Sequence, residues 1–403
     1  MPGALAGIRV LDLSRVLAGP WASQLLADYG ADVIKVERPA TGDDTRHWGP
    51  PWLADADGNA TSESAYFLAS NRNKRSVTVD ISTPGGQTIV RDLAAGSDIF
   101  LENFRVGALQ PFGLDAASLR ARFPRLIYCS ISAYGQEGPR AGEAGYDAMI
   151  QASAGLMSVT GERAGPPLKT GVAVADLMAG MYAVTAILAA LHARGTDGSG
   201  QHIDIPLFDT QLAWLANQAM NYLVSHEVPA RLGNAHPNIV PYQSFATADS
   251  YLMLAVGNDR QFAACLECLE LQELATDKRF RSNALRVAHR AELIPLMEQR
   301  FATQATGTWL TLFASAGVPC GPVNDLQQVF DSEQVVARQL LASLPHPLAG
   351  SVPAVANPVR FSATPATLRS APPLLGEHTS DVLENVLGYS VERIDELRGN
   401  GAI

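Results

Sequence analysis

One carboxylate stands near the start of the longest apolar run in the chain, TGVAVADLMAGMYAVTAILAAL, from Thr170 to Leu191. Asp176 is followed on the same helical face by Ala179, Gly180 and Ala183, three, four and seven positions on. Small residues stacked beyond a carboxylate predict a groove beside a negative charge at the positive end of a helix. A carboxylate that must stay ionised and be reached by a bulky substrate needs such a place. The competing expectation is a helix N-cap, a position that aspartate favours.

The elements that would position this residue follow from the hydrophobic pattern. IRVLDL (Ile8 to Leu13) reads as a buried strand, and Gly19-Pro20 opens a helix that Gly30 closes. Asp32 to Glu37 is the next strand. Further strands are read at Ser76 to Asp80, Asp98 to Leu101, Leu126 to Ile131 and Gln201 to Ile205. A helix starting at Thr83-Pro84 joins two of them. The predicted class is α/β, with a Rossmann-like parallel sheet in the large domain. No GxGxxG follows the first strand, and no phosphate loop is found, which disfavours a nicotinamide or flavin enzyme. Long helices are expected from Tyr146 to Val159, through the Asp176 run, and from Leu207 to Ser225. A hairpin turning at Ala248-Asp249-Ser250 and the helices after it predict a small α+β domain at 225–320. Gly317 to Pro322 reads as a hinge. The large domain is then residues 1–224, rejoined by 321–403.

Composition limits the function. The chain has 403 residues, 47% hydrophobic and 17% charged, with a formal net charge of −10. That describes globular domains without the basic excess of a nucleic-acid binder. The run Val172 to Leu191 is interrupted by Asp176, Gly180 and many alanines, so a buried helix is expected rather than a membrane span. Cys265 and Cys268 form a CxxC with no second pair at zinc-like spacing, so no metal is expected. Unpaired cysteines and the lack of a secretory signal pattern imply a reducing compartment, the cytoplasm.

Ten motifs stand in one order along the chain: GIRVLDLSRVLAGP, ADVIKVERPATGDDTR, NRNKRSVTVD, ENFRVGAL, SAYGQEGP, GYDAMIQASAG, VADLMAGMYA, RLGNAHPNIVPYQSF, GVPCGPVND and PPLLGEHT. Together they resemble the class III CoA-transferases, the formyl-CoA transferase and carnitine CoA-transferase family, over essentially the whole length. The resemblance implies a large Rossmann-like domain, a small domain and an interlocked homodimer. It also implies an acyl-CoA and a small carboxylic acid as substrates, with no permanently bound cofactor. Asp176 matches the family's nucleophile. Val16, Leu17, Ala18, Arg38, Val79, Asn103, Phe104 and Tyr146 match positions that contact CoA. Two basic CoA contacts of formyl-CoA transferase fall at Pro111 and Ala144 here, and Arg105 is the candidate replacement for the first. Asp147 matches the acid of the tyrosine–acid pair. The family's glycine-rich loop has its nearest match at Gly233, Asn234, Ala235 and His236.

Three other functions compete. The related α-methylacyl-CoA racemases use a histidine base where Tyr146 stands, and tyrosine, with an unperturbed pKa near 10, is a poor replacement. A non-catalytic CoA-binding protein would not need Asp176. A formyl-CoA:oxalate transferase is the alternative inside the family. The second half of the chain most resembles succinyl-CoA:glutarate (dicarboxylate) CoA-transferases. A dicarboxylate keeps one free carboxylate after thioester formation, and that charge calls for a cation or oriented donors. The candidates are Arg46, Arg72, Arg75 and His236.

Overall fold

A computed structural model describes residues 2–403. The chain divides into two compact units, one of residues 1–156, 170–219 and 336–403, the other of residues 157–169 and 220–335. The second unit thus starts before 225, runs beyond 320 and takes in 157–169. Among the described residues the strands, in chain order, are β1 Arg9–Asp12, β2 Asp32–Glu37, β3 Trp52–Ala54, β4 Ala60–Ser64, β5 Lys74–Thr78, β6 Ile99–Glu102, β7 Ile127–Ser132, β8 His202–Pro206, β9 Tyr242–Ala246, β10 Tyr251–Ala255, β11 Cys320–Pro322, β12 Leu341–His346 and β13 Gly350–Val355.

The first unit is built on a six-stranded sheet in the order β5-β2-β1-β6-β7-β8, with every pairing parallel. The order reverses between β1 and β6. In such sheets ligands bind beyond the carboxyl ends of the strands at that reversal. Alternate residues of each strand face opposite sides, and both sides are apolar. Val10, Val33, Ile99 and Ile127 join one core with helices Ala18–Asp28 and Val174–Asp197. Leu11, Ile34, Phe100 and Tyr128 join another with helices Pro84–Ala95, Thr379–Asn385 and Val391–Gly399. The Pro84 helix starts as read: Thr83 is its N-cap and accepts from the Gly86 amide, and Pro84 occupies the first turn.

Two long helices expected from sequence are each broken. Gly155, at φ +94°, separates Asp147–Ser153 from Leu156–Val159. Trp214 and Leu215, followed by Ala216 at φ +47°, separate Leu207–Ala213 from Ala216–Ser225. Hairpins β3/β4 and β12/β13 had no expectation attached to them. The second carries Pro345 and Pro353, residues that argue against a strand in sequence.

The second unit holds the antiparallel sheet β11-β10-β9 and a core of its own around Phe245, Leu252, Phe301 and Trp309. The expected hairpin is β9/β10. The supposed hinge Gly317 to Pro322 instead contributes β11, which pairs with β10 from Leu252↔Pro322 to Leu254↔Cys320. Three residues are too few for periodicity to reveal a strand.

Candidate active site

Helix Val174–Asp197 is long and apolar enough to cross a membrane by length and composition alone. Its buried residues include Ala175, Asp176, Ala179, Gly180, Ala183, Ile187 and Ala190, one face of a helix packed in a core. That face is the stripe from which a groove was expected, and it is filled. A Cβ at Gly180 would lie 2.7 Å from the carbonyl oxygen of Ala18 and 3.2 Å from the Trp21 ring. Glycine is therefore required where helix Ala18–Asp28 seats against this stripe. The opening lies at the Asp176 end instead.

Asp176 is not a cap. It is the third residue of its helix, whose N-cap is Ala173 without a side-chain hydrogen bond. Asp147 does the capping from another helix: its Oδ1 accepts from the Ala175 amide at 2.8 Å, and its Oδ2 from Gln151 at 2.7 Å. Gln151 is fixed in turn by the Thr170 amide, which donates to its carbonyl. The Asp176 carboxylate is only 8% exposed. Burial first, and then the negative charge of Asp147, push its pKa up to about 7.

Asp176 opens on a cleft of about 300 Å³ at the carboxyl ends of β1, β6 and β7. Arg15, Val16, Leu17 and Ala18 line it after β1, Asn103, Phe104 and Arg105 after β6, and Ala144 and Tyr146 after β7. Leu17, N-cap of the Ala18–Asp28 helix, provides no side-chain cap. The amides of Leu17 and Ala18 make no hydrogen bond among the described residues. Val16 is held at φ +72°, a conformation that costs a β-branched residue about 1–3 kcal/mol.

A second cavity of about 70 Å³ is lined by Arg38, Val79, Asp80 and Phe104, and shares Arg15 and Phe104 with the first. Arg38 is exposed, and its charge helps hold the Asp80 carboxyl below its usual range, after the Ser82 hydrogen bonds. The two cavities together make a path that an extended ligand can follow.

Of the residues singled out in sequence, Val16, Leu17, Ala18, Asn103, Phe104, Arg105, Tyr146 and Asp176 come together in the first cleft, with Arg38 and Val79 in the second. Asn103 spends its amide on the backbone: it accepts from the Arg15 amide at 2.8 Å and donates to the Arg15 carbonyl at 2.7 Å. Its side chain shapes the wall of the cleft. Arg105 donates to the Gly142 carbonyl at 2.8 Å. Tyr146 is 64% exposed rather than packed in the core.

The three arginines proposed for a distal carboxylate lie elsewhere. Arg46 is buried against Glu37, donating at 2.8 Å from two nitrogens, and stacks on Phe67. Arg72 pairs with buried Asp28 at 2.6 Å. Arg75 pairs with Asp32 at 2.7 Å. Each is consumed by an acid, and none lines either cavity.

Gly233, Asn234 and His236 belong to the second unit. Gly233 has φ +58° and its amide donates to Gly161, Asn234 donates to Ser244, and the His236 Nδ1 accepts from the Asn238 amide. Burial and then Arg290 lower the pKa of His236.

Sequence reasoning passed over Arg15, Asp44 and Glu102. Arg15 pairs with Asp44 at 3.0 Å and lies over the Phe104 ring, where the cavities meet. Its signal was a lone basic residue directly after a strand at the reversal of the sheet. Glu102 ends β6, accepts from the Phe104 amide at 2.7 Å, and is pushed to about 7 by burial. Among the described residues no group of three or more His, Cys, Asp or Glu side chains is arranged to hold a metal ion.

Comparison with known proteins agrees with this geometry. The family model described as CoA-transferase family III matches residues 5–379. A succinate–glutarate CoA-transferase of Agrobacterium fabrum is 49% identical over 94% of this chain and 94% of its own length. A succinyl-CoA:glutarate CoA-transferase of Mus musculus is 45% identical over 99% of this chain and 90% of its own. The crystal structure of a CAIB/BAIF family protein from Brucella suis superposes with a TM-score of 0.84 at 47% identity, over 96% of this chain and 100% of that one. A buried carboxylate left without a partner, a cleft at the reversal of a parallel sheet and a match along nearly the whole sequence lead to one conclusion: the chain is an enzyme of CoA-transferase family III.

Proposed function

We propose that this enzyme moves CoA from succinyl-CoA to a C4–C5 dicarboxylate such as glutarate, with Asp176 as the nucleophile. The observation that carries the reading is Asp176, 8% exposed, whose carboxylate has no hydrogen-bond partner among the described residues and faces the cleft. The names of the Agrobacterium and mouse relatives support the choice of substrates.

The exchange balances in four steps, each a carbonyl substitution. The Asp176 carboxylate attacks the thioester carbonyl and expels CoA thiolate, giving an aspartyl–succinyl anhydride. The thiolate attacks the aspartyl carbonyl, giving an aspartyl-CoA thioester and releasing succinate. The acceptor carboxylate attacks that thioester, forming a second anhydride and freeing the thiolate again. The thiolate then attacks the acceptor's carbonyl, which yields the new acyl-CoA and restores Asp176. CoA enters as substrate and leaves as product, and the steps consume no redox carrier. The free amides of Leu17 and Ala18 are suited to stabilise the oxyanions. Arg15 and Arg38 are suited to the phosphates of CoA along the joined cavities.

We also infer a homodimer, formed by the outer face of the Asp176 helix. Met181, Tyr182 and Leu188 are 42%, 40% and 37% exposed there, and exposed apolar surface of this kind marks an association site. In the neighbouring helix, Gln211 is buried with neither end of its amide partnered. The four cysteines are free and support a cytoplasmic setting.

The test is a matrix of donors and acceptors read by mass spectrometry. Transfer from succinyl-CoA to glutarate that disappears in Asp176→Ala is the expected result. Formyl-CoA with oxalate as the best pair, and glutarate inert, would overturn the specificity.

A further inference from the structure

Val16 occupies a conformation that glycine adopts freely and a β-branched residue resists. It does so in the wall of the cleft that holds Asp176. A strained backbone persists only where its surroundings over-determine it, and here they do. On one side of Val16, the Ser14 amide and hydroxyl donate to Asp12 at 2.9 and 2.5 Å. The Ser14 carbonyl accepts from the Lys35 ammonium at 2.8 Å. The Val16 amide itself donates to Asp43 Oδ1 at 3.2 Å. Lys35 and Asp43 close the circle with an ion pair at 2.9 Å, both side chains fully buried. Asp43 also caps the short turn Asp44–His47, which carries Asp44, the partner of Arg15. One buried pair therefore holds both the turn before the Ala18–Asp28 helix and the segment facing it.

A buried ion pair is poor evidence for stability, because desolvation offsets its attraction. A pair of apolar side chains could fill the same space. What they could not supply is three directed contacts, to the Ser14 carbonyl, the Val16 amide and each other. We propose that Lys35 and Asp43 are positioning residues for CoA transfer. They hold Val16 in the left-handed conformation and so fix the free amides of Leu17 and Ala18 against Asp176. Neither lines the cleft that holds Asp176, and only Asp43 borders the second cavity. The Gly180–Ala18 contact sets the spacing of the two helices, and the ion pair sets the angle at which the chain enters the first of them.

The inference rests on transfer at Asp176, so wild-type exchange and its loss in Asp176→Ala are measured first and judge that reading separately. The variant Lys35→Met/Asp43→Asn removes both charges without leaving a lone one buried. With native circular dichroism and cooperative unfolding retained, its kcat is expected to fall about ten- to hundredfold, the scale of a small misplacement in an active site. Adding Val16→Gly to that background restores much of the loss, since glycine takes the same φ without a clamp. A folded double variant with unchanged kcat would overturn the proposal, as would a loss that Val16→Gly does not relieve. Should the double variant fail to fold, Lys35→Leu/Asp43→Ala, which also leaves no lone charge buried and removes the acceptor for the Val16 amide, is read by the same two outcomes.

Discussion

Asp43 and Asp176 are carboxylates of similar burial in the same unit, and their protons behave in opposite ways. Around Asp43 burial is outweighed by Lys35 and the Thr45 amide, and the carboxyl is held down at about 2. Around Asp176 no cation or donor answers the burial, Asp147 adds its own negative charge, and the carboxyl rises to about 7. At Glu37, too, burial is outweighed, by Arg46, and the carboxyl is held below its usual range; Asp28 is buried against Arg72. Burial sets the cost of a charge in every case, and the partner decides whether it is met. The chain pairs Asp28, Glu37 and Asp43 with cations and leaves Asp176, which opens onto the cleft, without one; Glu102, at the end of β6 with the Phe104 amide and the Ser130 hydroxyl beside it, is also pushed up to about 7. An acid without a partner is free to form a bond with something else.

The contrast can be broken most severely at Asp176. Asp176→Ala is expected to lower exchange by at least about a thousandfold while leaving the fold intact, measured by steady-state transfer and thermal unfolding. Arg46→Met should do the reverse. It strands Glu37 in the core and costs about 3–5 kcal/mol of stability, read from the denaturant midpoint, with kcat per folded molecule kept.

The two acids should also differ in how pH acts on them. The folded pKa of Asp176 is raised above the ordinary aspartate value of 3.8. Its contribution to stability is therefore fully present below about pH 4, is lost as pH rises to about 7, and is level beyond. Asp176→Asn removes that slope, so the variant should be more stable than wild type at pH 8 by up to about 4 kcal/mol, and the difference should shrink to nothing at pH 4. Only the carboxylate attacks, so kcat/KM of the wild type should decline as pH falls below about 7. Asp147→Asn removes the second cause of the shift and should move that decline to lower pH. Smallest of all, Gly180→Ala should push Ala18 away from the Asp176 helix, at about 1–3 kcal/mol in stability and with a measurable fall in kcat.

The parts of this arrangement that depend on neighbours in sequence were legible. Alternating strands and helices gave the parallel sheet, Thr83-Pro84 marked a helix start, and the first hydrophobic turn placed Asp176 near a helix end. The parts that depend on distant partners were not. Arg72 and Arg75 looked available because their acids, Asp28 and Asp32, lie 44 and 43 residues away. The stripe of Ala179, Gly180 and Ala183 looked like open groove because nothing in its own segment reveals that Ala18 and Trp21 fill it. No pattern warns that Val16 has a positive φ, since the residues that impose it are spread from Asp12 to Asn103. Local chemistry thus placed Asp176 near a helix end, and tertiary pairing sorted the charges around it.

The most direct test of the unpaired carboxylate is to catch it bonded. The enzyme would be mixed with succinyl-CoA without an acceptor, quenched within the turnover time, digested and mapped by mass spectrometry. CoA joined as a thioester to the peptide containing Asp176, and released by hydroxylamine, is the predicted result. Efficient exchange with no adduct at Asp176, or with the adduct on another residue, would contradict the account.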